Sequence, residues 1–131
     1  MDKNKVQEYL KSQGILQEIE EIEYKKDFLV IRFFYDYDED ELGAAKEYAN
    51  SQTDSEDEDK WYDEYYVPYL IDIAVDEIRD TMEEVVEELG VNAEYITYQP
   101  ERDDDTCEFI AAFADSENEF DIDDILEELN L

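Results

Sequence analysis

The residues with the clearest chemistry lie in one segment, where carboxylates recur at intervals of three and four. They are Asp72, Asp76, Glu77, Asp80, Glu83, Glu84, Glu87 and Glu88, and we call them the acidic row. In an α-helix, residues three and four apart lie on one face. The row would extend about 24 Å and, once Arg79 is subtracted, carry about one net charge per 3.4 Å. This arrangement is suited to electrostatic recognition of a basic surface.

The acidic row has a cost that a merely soluble surface would avoid. Like charges four residues apart destabilise a helix by about 0.2–0.5 kcal/mol each, so the four steps from Asp72 to Glu88 would cost about 1–2 kcal/mol. Alternating Lys and Glu would keep the same face soluble without that cost. One strand of B-DNA carries a phosphate every 3.4 Å or so, which is the charge spacing of the row. The spacing favours a functional role, and the alternative is an ordinary solvated face.

Other catalytic chemistry is sparse. The chain has no His, which is the commonest general base and metal ligand. Its single cysteine, Cys107, stands beside Phe109 in a strand pattern and is predicted to be buried rather than nucleophilic. No glycine-rich loop is present to hold phosphate. We therefore expect neither an enzyme nor a bound cofactor.

One pattern resembles a calcium-binding loop. Asp36, Asp38, Asp40 and Glu47 match loop positions 1, 3, 5 and 12. Glu41 replaces the glycine that the sharp turn requires, and a predicted strand precedes the segment where a helix is needed. We therefore predict no calcium site of this type, nor any other metal centre.

Composition indicates a folded domain despite an extreme charge. The chain has 131 residues and a net charge of -32, with 42 acidic and 10 basic residues. Hydrophobic residues make up 43% and aromatic residues 14%, which is more than disordered chains usually contain. We expect a single domain over residues 1–131 with a flexible acidic loop at about 51–60. Residues 36–131 carry -31 of the net charge, so the first 35 residues are almost neutral.

Hydrophobic periodicity predicts an α+β fold, with an antiparallel sheet of about four strands and helices packed on it. The predicted helices are 3–13, 39–50, 67–89 and 121–131. The predicted strands are a run around 19–24, then 28–37, 93–99 and 106–114. Gly14 and Gly90 each end a helix that precedes two strands, which suggests a weak internal αββα repeat. An aromatic cluster at Trp61, Tyr62, Tyr65, Tyr66 and Tyr69 is expected to pack against the sheet. The alternative is an interface in which these tyrosines contact Arg or Lys of a basic partner.

The same features predict where the chain works. We expect it in the cytoplasm, since residues 1–15 lack the apolar run of a signal peptide and no stretch is apolar enough to span a membrane. Its charge would repel anionic lipid and nucleic acid, so we expect it to bind neither directly. The expected partner is a basic protein surface, above all that of a nucleic-acid-binding protein. The near-neutral first helix would face the core or a second subunit, which leaves a homodimer open.

In size, acidity and helical acid spacing the chain resembles the functional class of DNA-mimic proteins, such as phage anti-restriction and anti-CRISPR inhibitors. The resemblance implies competitive blocking of a partner's nucleic-acid-binding surface by the acidic row. One alternative is a small acidic chaperone or immunity protein for a basic client, which would bind through apolar surface. Another is adaptation to salt, in which the charge only keeps the protein soluble.

Overall fold

The structure, a computed structural model, describes residues 1–54 and 56–131. Its helices are α1 (Lys3–Gln13), α2 (Glu39–Gln52), α3 (Glu58–Lys60), α4 (Val67–Leu89) and α5 (Ile122–Leu129), with a π-helical segment (Trp61–Tyr66) between α3 and α4. Its strands are β1 (Gln17–Ile22), β2 (Leu29–Asp36), β3 (Val91–Thr97) and β4 (Thr106–Asp115). The predicted α+β fold with an antiparallel four-stranded sheet is confirmed.

The sheet has the strand order β1-β2-β4-β3, and every neighbouring pair is antiparallel. The two central strands, β2 and β4, pair from Leu29 opposite Phe113 to Asp36 opposite Thr106. Both strands are apolar on both faces, as the two alternating sets of the 28–37 run predict. Leu29, Val30 and Ile31 are all fully buried, so β2 forms the middle of the core.

The two faces of the sheet are covered unequally. The larger core packs α1, α2 and α4 against one face, where Phe33 and Phe109 stack with ring centroids 5.3 Å apart. The smaller core lies on the other face, where α5 packs Ile122 and Ile125 over Val30. The element order αββα therefore occurs twice, but α2 and α5 lie on opposite faces. The suggested repeat holds for the order of elements and not for their packing.

Local signals set the helix ends. Gly14 and Gly90 follow α1 and α4 with φ of 71° and 63°, a left-handed conformation that glycine adopts without steric cost. Asp38 begins α2 through a capping box, in which its side chain accepts from the Glu41 N–H while Glu41 accepts from the Asp38 N–H. Because Gly90 turns the chain at once, β3 starts two residues earlier than predicted.

The π-helical segment lies just before Pro68, the second residue of α4. Pro68 has no N–H to offer the carbonyl of Glu64, and its ring would crowd that carbonyl in a regular α-helix. A wider turn relieves this conflict, and the N–H of Val67 accordingly bonds to the carbonyl of Tyr62 five residues earlier.

The predicted loop at 51–60 is shorter in the structure. Residues 51 and 52 belong to α2, and residues 58–60 form α3. Position 55 lies outside the described residues, and the expected flexibility of the loop stays a prediction.

Candidate functional site

The acidic row lies on α4 with all eight side chains exposed. The helix has this orientation because its apolar stripe, which includes Leu70, Ala74, Ile78 and Val85, is buried against the sheet. Burial of that stripe fixes the opposite face of α4 toward solvent. The structure thus brings all eight predicted site residues onto one exposed helix surface.

The row is broader than a single line. A four-residue step advances an α-helix by about 40° beyond a full turn, so the series from Asp72 to Glu88 winds through about 160°. Its path is right-handed, with about 6 Å of rise per step. The eight carboxylates therefore cover a band on α4, with one flank toward α1 and α2 and the other toward β3.

On the first flank, tyrosines of neighbouring elements approach the row. The Tyr9 hydroxyl of α1 donates to Glu84 over 3.5 Å. Desolvation, followed by the charges of Glu84 and Glu88, raises the pKa of Tyr9. Desolvation and then the hydrogen bond to Glu41 raise the pKa of Tyr35, and the charge of Glu77 contributes to the same shift. These tyrosines stay protonated beside the carboxylates and act as hydrogen-bond donors.

On the second flank, the row borders the edge of the sheet. Desolvation raises the pKa of Tyr95 on β3. Arg79 lowers that pKa, whereas the charges of Glu83, Asp76 and Asp80 raise it. Tyr95 therefore lies within electrostatic reach of three members of the row.

The row has little internal neutralisation. Its ion pair within the described part of the chain joins Arg79 to Asp76 at 2.8 Å, and both side chains are more than half exposed. A surface pair of this kind contributes little to stability because solvent screens it. The remaining carboxylates of the row face solvent, where a cationic partner could reach them.

Sequence reasoning missed a second group of carboxylates, at the start of α2. The Tyr35 hydroxyl donates to Glu41 over 2.6 Å, and the charges of Asp38 and Glu77 also raise the pKa of Tyr35. The first turn of α2 therefore lies beside α4, and its acids extend the row sideways. The capping-box spacing of Asp38 and Glu41 indicates in the sequence where α2 begins. It does not indicate that this end of α2 lies beside α4.

Sequence reasoning also missed an arginine that binds two aspartates and a tyrosine beside the aromatic segment. Arg102, in the loop between β3 and β4, donates to Asp63 at 2.7 Å and to Asp59 at 2.8 Å. Its guanidinium carbon lies 5.4 Å from the centre of the Tyr62 ring. These contacts attach the 100–105 loop to the helical segment before α4, over a distance in sequence that no local pattern reveals.

The aromatic cluster is packed, but chiefly against α2 and α4 rather than against the sheet as predicted. Tyr66 is buried, and Trp61 stacks on it with ring centroids 4.9 Å apart. The Trp61 indole N–H donates to Asn50 over 2.8 Å, while Tyr48 of α2 stacks on Tyr69 at 5.0 Å. The cluster thus joins α2 to the start of α4 and holds the acidic row in place.

The remaining candidate chemistry has structural explanations. Cys107 is fully buried with its sulfur 3.0 Å from the Thr97 hydroxyl, and burial raises the pKa of its thiol. Asp36 ends β2, Asp38 caps α2 and Asp40 lies in its first turn, so the calcium-like pattern does not form one loop. In residues 1–54 and 56–131, no group of three or more candidate ligands could hold a metal ion.

Across the same described ranges, no helix is both long and apolar enough to cross a membrane.

Comparisons with known proteins assign the chain to no family. No protein-family model matches it, and searches of curated proteins and of solved structures find no match.

Proposed function

We propose that this protein is a DNA-mimic-type inhibitor that binds the basic nucleic-acid-binding surface of a partner protein and blocks it competitively. The observation that carries the proposal is the acidic row, eight exposed carboxylates on one helix with a single ion pair among the described residues. Its net charge spacing of about 3.4 Å equals that of phosphates along one DNA strand.

The geometry of the row supports this proposal. The row winds in the same right-handed sense as a DNA strand and is supported by a buried helix face and the sheet. The backbone of α4 is already ordered by this packing, so binding has to order only the side chains of the row. The acids at the start of α2 lie beside the row and broaden the charged surface. This breadth matters because duplex DNA presents two rows of phosphates. Since proteins that process nucleic acids in a cell are the proposed targets, we also propose that the chain acts in the cytoplasm.

In this mechanism, carboxylates of the protein compete with nucleic-acid phosphates for the same Lys and Arg side chains of the partner. Carboxylates of the row would pair with Lys and Arg side chains that otherwise contact phosphate, and the half-buried Tyr9 and Tyr95 beside the row would lie against guanidinium groups. Binding releases the ions that screen both surfaces, so affinity should fall steeply as salt rises. The protein would have no catalytic step and would act only while bound.

The test compares two variants of equal net charge. One neutralises the centre of the row through Asp76→Asn, Asp80→Asn and Glu84→Gln. The matched control neutralises three exposed acids around β1 through Glu20→Gln, Glu21→Gln and Glu23→Gln. Immobilised protein is incubated with cell lysate at low salt, and bound proteins are eluted with duplex DNA and identified by mass spectrometry.

We expect the unmodified protein and the β1 control to release nucleic-acid-binding proteins on addition of DNA, and the row variant to release almost none. Equal capture by the row variant would contradict the proposal. Capture that persists in molar salt would also contradict it, and would favour a chaperone or immunity protein that uses apolar contacts. Unfolding of the free protein below molar salt would instead favour salt adaptation.

A further inference from the structure

The two edges of the sheet differ in a way that bears on binding. Edge strand β1 carries a bulge between Gln17 and Glu20, and Glu18 within it has φ of 52°. Acids follow at Glu20 and Glu21, so this edge is irregular and charged, features that discourage pairing with another strand. Edge strand β3 pairs with β4 without a register shift from Val91 to Thr97. Only one of its seven residues is charged.

The free backbone groups of β3 can be assigned from its pairing. The Tyr98 N–H bonds to the Glu108 carbonyl, which fixes the alternation of inward and outward groups in this antiparallel pair. The N–H and C=O groups of Ala93, Tyr95 and Thr97 consequently point away from β4. Within residues 1–54 and 56–131, no other strand pairs with this edge.

A groove of about 370 Å³ runs between this edge and α4. Met82, Val86, Ala93 and Tyr95 give it an apolar lining. Arg79, Glu83 and Glu87 form the rest of its boundary. An extended segment paired with β3 would direct every second side chain into this groove, where apolar residues fit best.

The other side chains of such a segment would point to the opposite face of the sheet. A second depression there, of about 310 Å³, is lined by Glu94, Glu119 and Phe120 together with Asn92 and Ala93. Glu94 accepts from the Ile122 N–H over 3.2 Å, and the remaining acceptor sites of the two carboxylates favour Lys or Arg. The two faces of β3 therefore select an alternation of apolar and basic residues.

We propose that β3 is a strand-addition site for an extended segment of a partner protein in which apolar and basic residues alternate. The proposal goes beyond the acidic row, because it depends on backbone pairing and an apolar groove rather than on imitation of phosphates. A second copy of this chain is disfavoured as the occupant, since pairing β3 with itself would bring Glu94 and the acids of the groove against like charges. Strand addition to an exposed edge is a common mode of peptide recognition.

The test uses a labelled synthetic peptide of alternating valine and lysine, long enough to span β3. Its control has the same composition with all lysines in one half. Binding is followed by fluorescence anisotropy at low salt, and exchange of individual amide hydrogens by NMR. Both peptides can pair their backbones with β3, but only the alternating one places apolar and basic side chains on the matching faces. We therefore expect it to bind about tenfold more tightly than the control.

Two proline variants then show whether the peptide binds at the β3 edge or at the β1 edge of the sheet. Ala93→Pro removes an outward N–H from β3 while leaving the bonds to β4, and should weaken binding about fivefold. The matched control is Glu21→Pro on β1, where the register with β2 also directs the N–H outward. That variant should bind the peptide like the unmodified protein.

Amide exchange in the unmodified protein tests the same site without any variant. The N–H groups of Tyr95 and Thr97 should exchange rapidly in the free protein and slowly with the alternating peptide bound. Equal binding of both peptides, unchanged exchange at these two amides, or absence of binding would each overturn the proposal. Slow exchange at both amides in a free dimer would overturn it by assigning the edge to a second copy. None of these results depends on whether DNA elutes a captured protein, so the two proposals can fail separately.

Discussion

Neutralising Asp80 should stabilise the protein while weakening its binding to a basic partner. Asp80 lies at the centre of the acidic row and is exposed. Asp76 and Glu84 are four residues away, and Glu77 and Glu83 are three residues away, so four carboxylates surround it on α4. Arg79 pairs with Asp76, which leaves three of these neighbours without a cation in the described part of the chain.

The magnitude follows from those three neighbours. Each like-charge contact at this spacing costs about 0.2–0.5 kcal/mol at low salt, so Asp80→Asn should raise the free energy of unfolding by about 0.6–1.5 kcal/mol. For a chain of this length the melting temperature should rise by about 2–5 °C. Asn and Asp have similar helix propensities, so the substitution isolates the charge.

The assay is thermal and urea unfolding followed by circular dichroism, at low salt and in about 1 M salt, where the screening length is about 3 Å. The gain should disappear in high salt. Glu8→Gln is the control because Lys5 and Lys11 lie three residues to either side of Glu8 on α1, so this change should be neutral or destabilising. A loss of stability in Asp80→Asn, or a gain that high salt leaves unchanged, would refute the electrostatic argument.

Three further outcomes follow from local geometry. Gly90→Ala should lower the free energy of unfolding in urea by about 1 kcal/mol, since Gly90 has φ of 63°. Gly43→Ala within α2 should instead raise it by about 0.5–1 kcal/mol. Equal effects of the two substitutions would contradict the role of φ. Cys107 should react with Ellman's reagent only on unfolding, and rapid reaction of the folded protein would contradict its burial. Burial raises the pKa of Tyr35 and Tyr37 above the unfolded value of 10, so their contribution to stability is complete below about pH 10 and is lost at higher pH. Ionisation of Tyr35 and Tyr37, followed by absorbance at 295 nm, should coincide with alkaline unfolding. Ionisation of all tyrosines while the protein is still folded would contradict this.

Much of the fold could be predicted because local patterns specify it. The helix over 3–13 was predicted with the bounds that the structure gives to α1, and α4 ends at Leu89 before Gly90, as expected. The double-sided apolar character of residues 28–37 identified the central strand. These features depend on residues close together in sequence, where periodicity and capping provide the information.

The parts that could not be predicted depend on residues distant in sequence. The placement of α5 on the opposite face from α2 follows from packing of Ile122 and Ile125 on Val30, which no local pattern specifies. Likewise, Arg102 reaches Asp59 and Asp63 across about forty positions. The position of β3 at the edge of the sheet, on which the proposed strand-addition site depends, likewise follows from long-range pairing.

The acidic row could be predicted from its local spacing, whereas its neighbours on α1 and β3 could not. Solubility or salt adaptation requires negative charge on the surface but no particular spacing. On α4, however, like charges lie three and four residues apart, where they repel one another, and Arg79 in the middle of the row pairs with Asp76 alone among the described residues. If selection acted only on solubility, neutral or basic residues at Asp80 or Glu84 would improve stability at no loss. The unfavourable spacing therefore supports the proposed binding role. Asp80→Asn tests that role directly, because this variant should be more stable but should capture less of a basic partner.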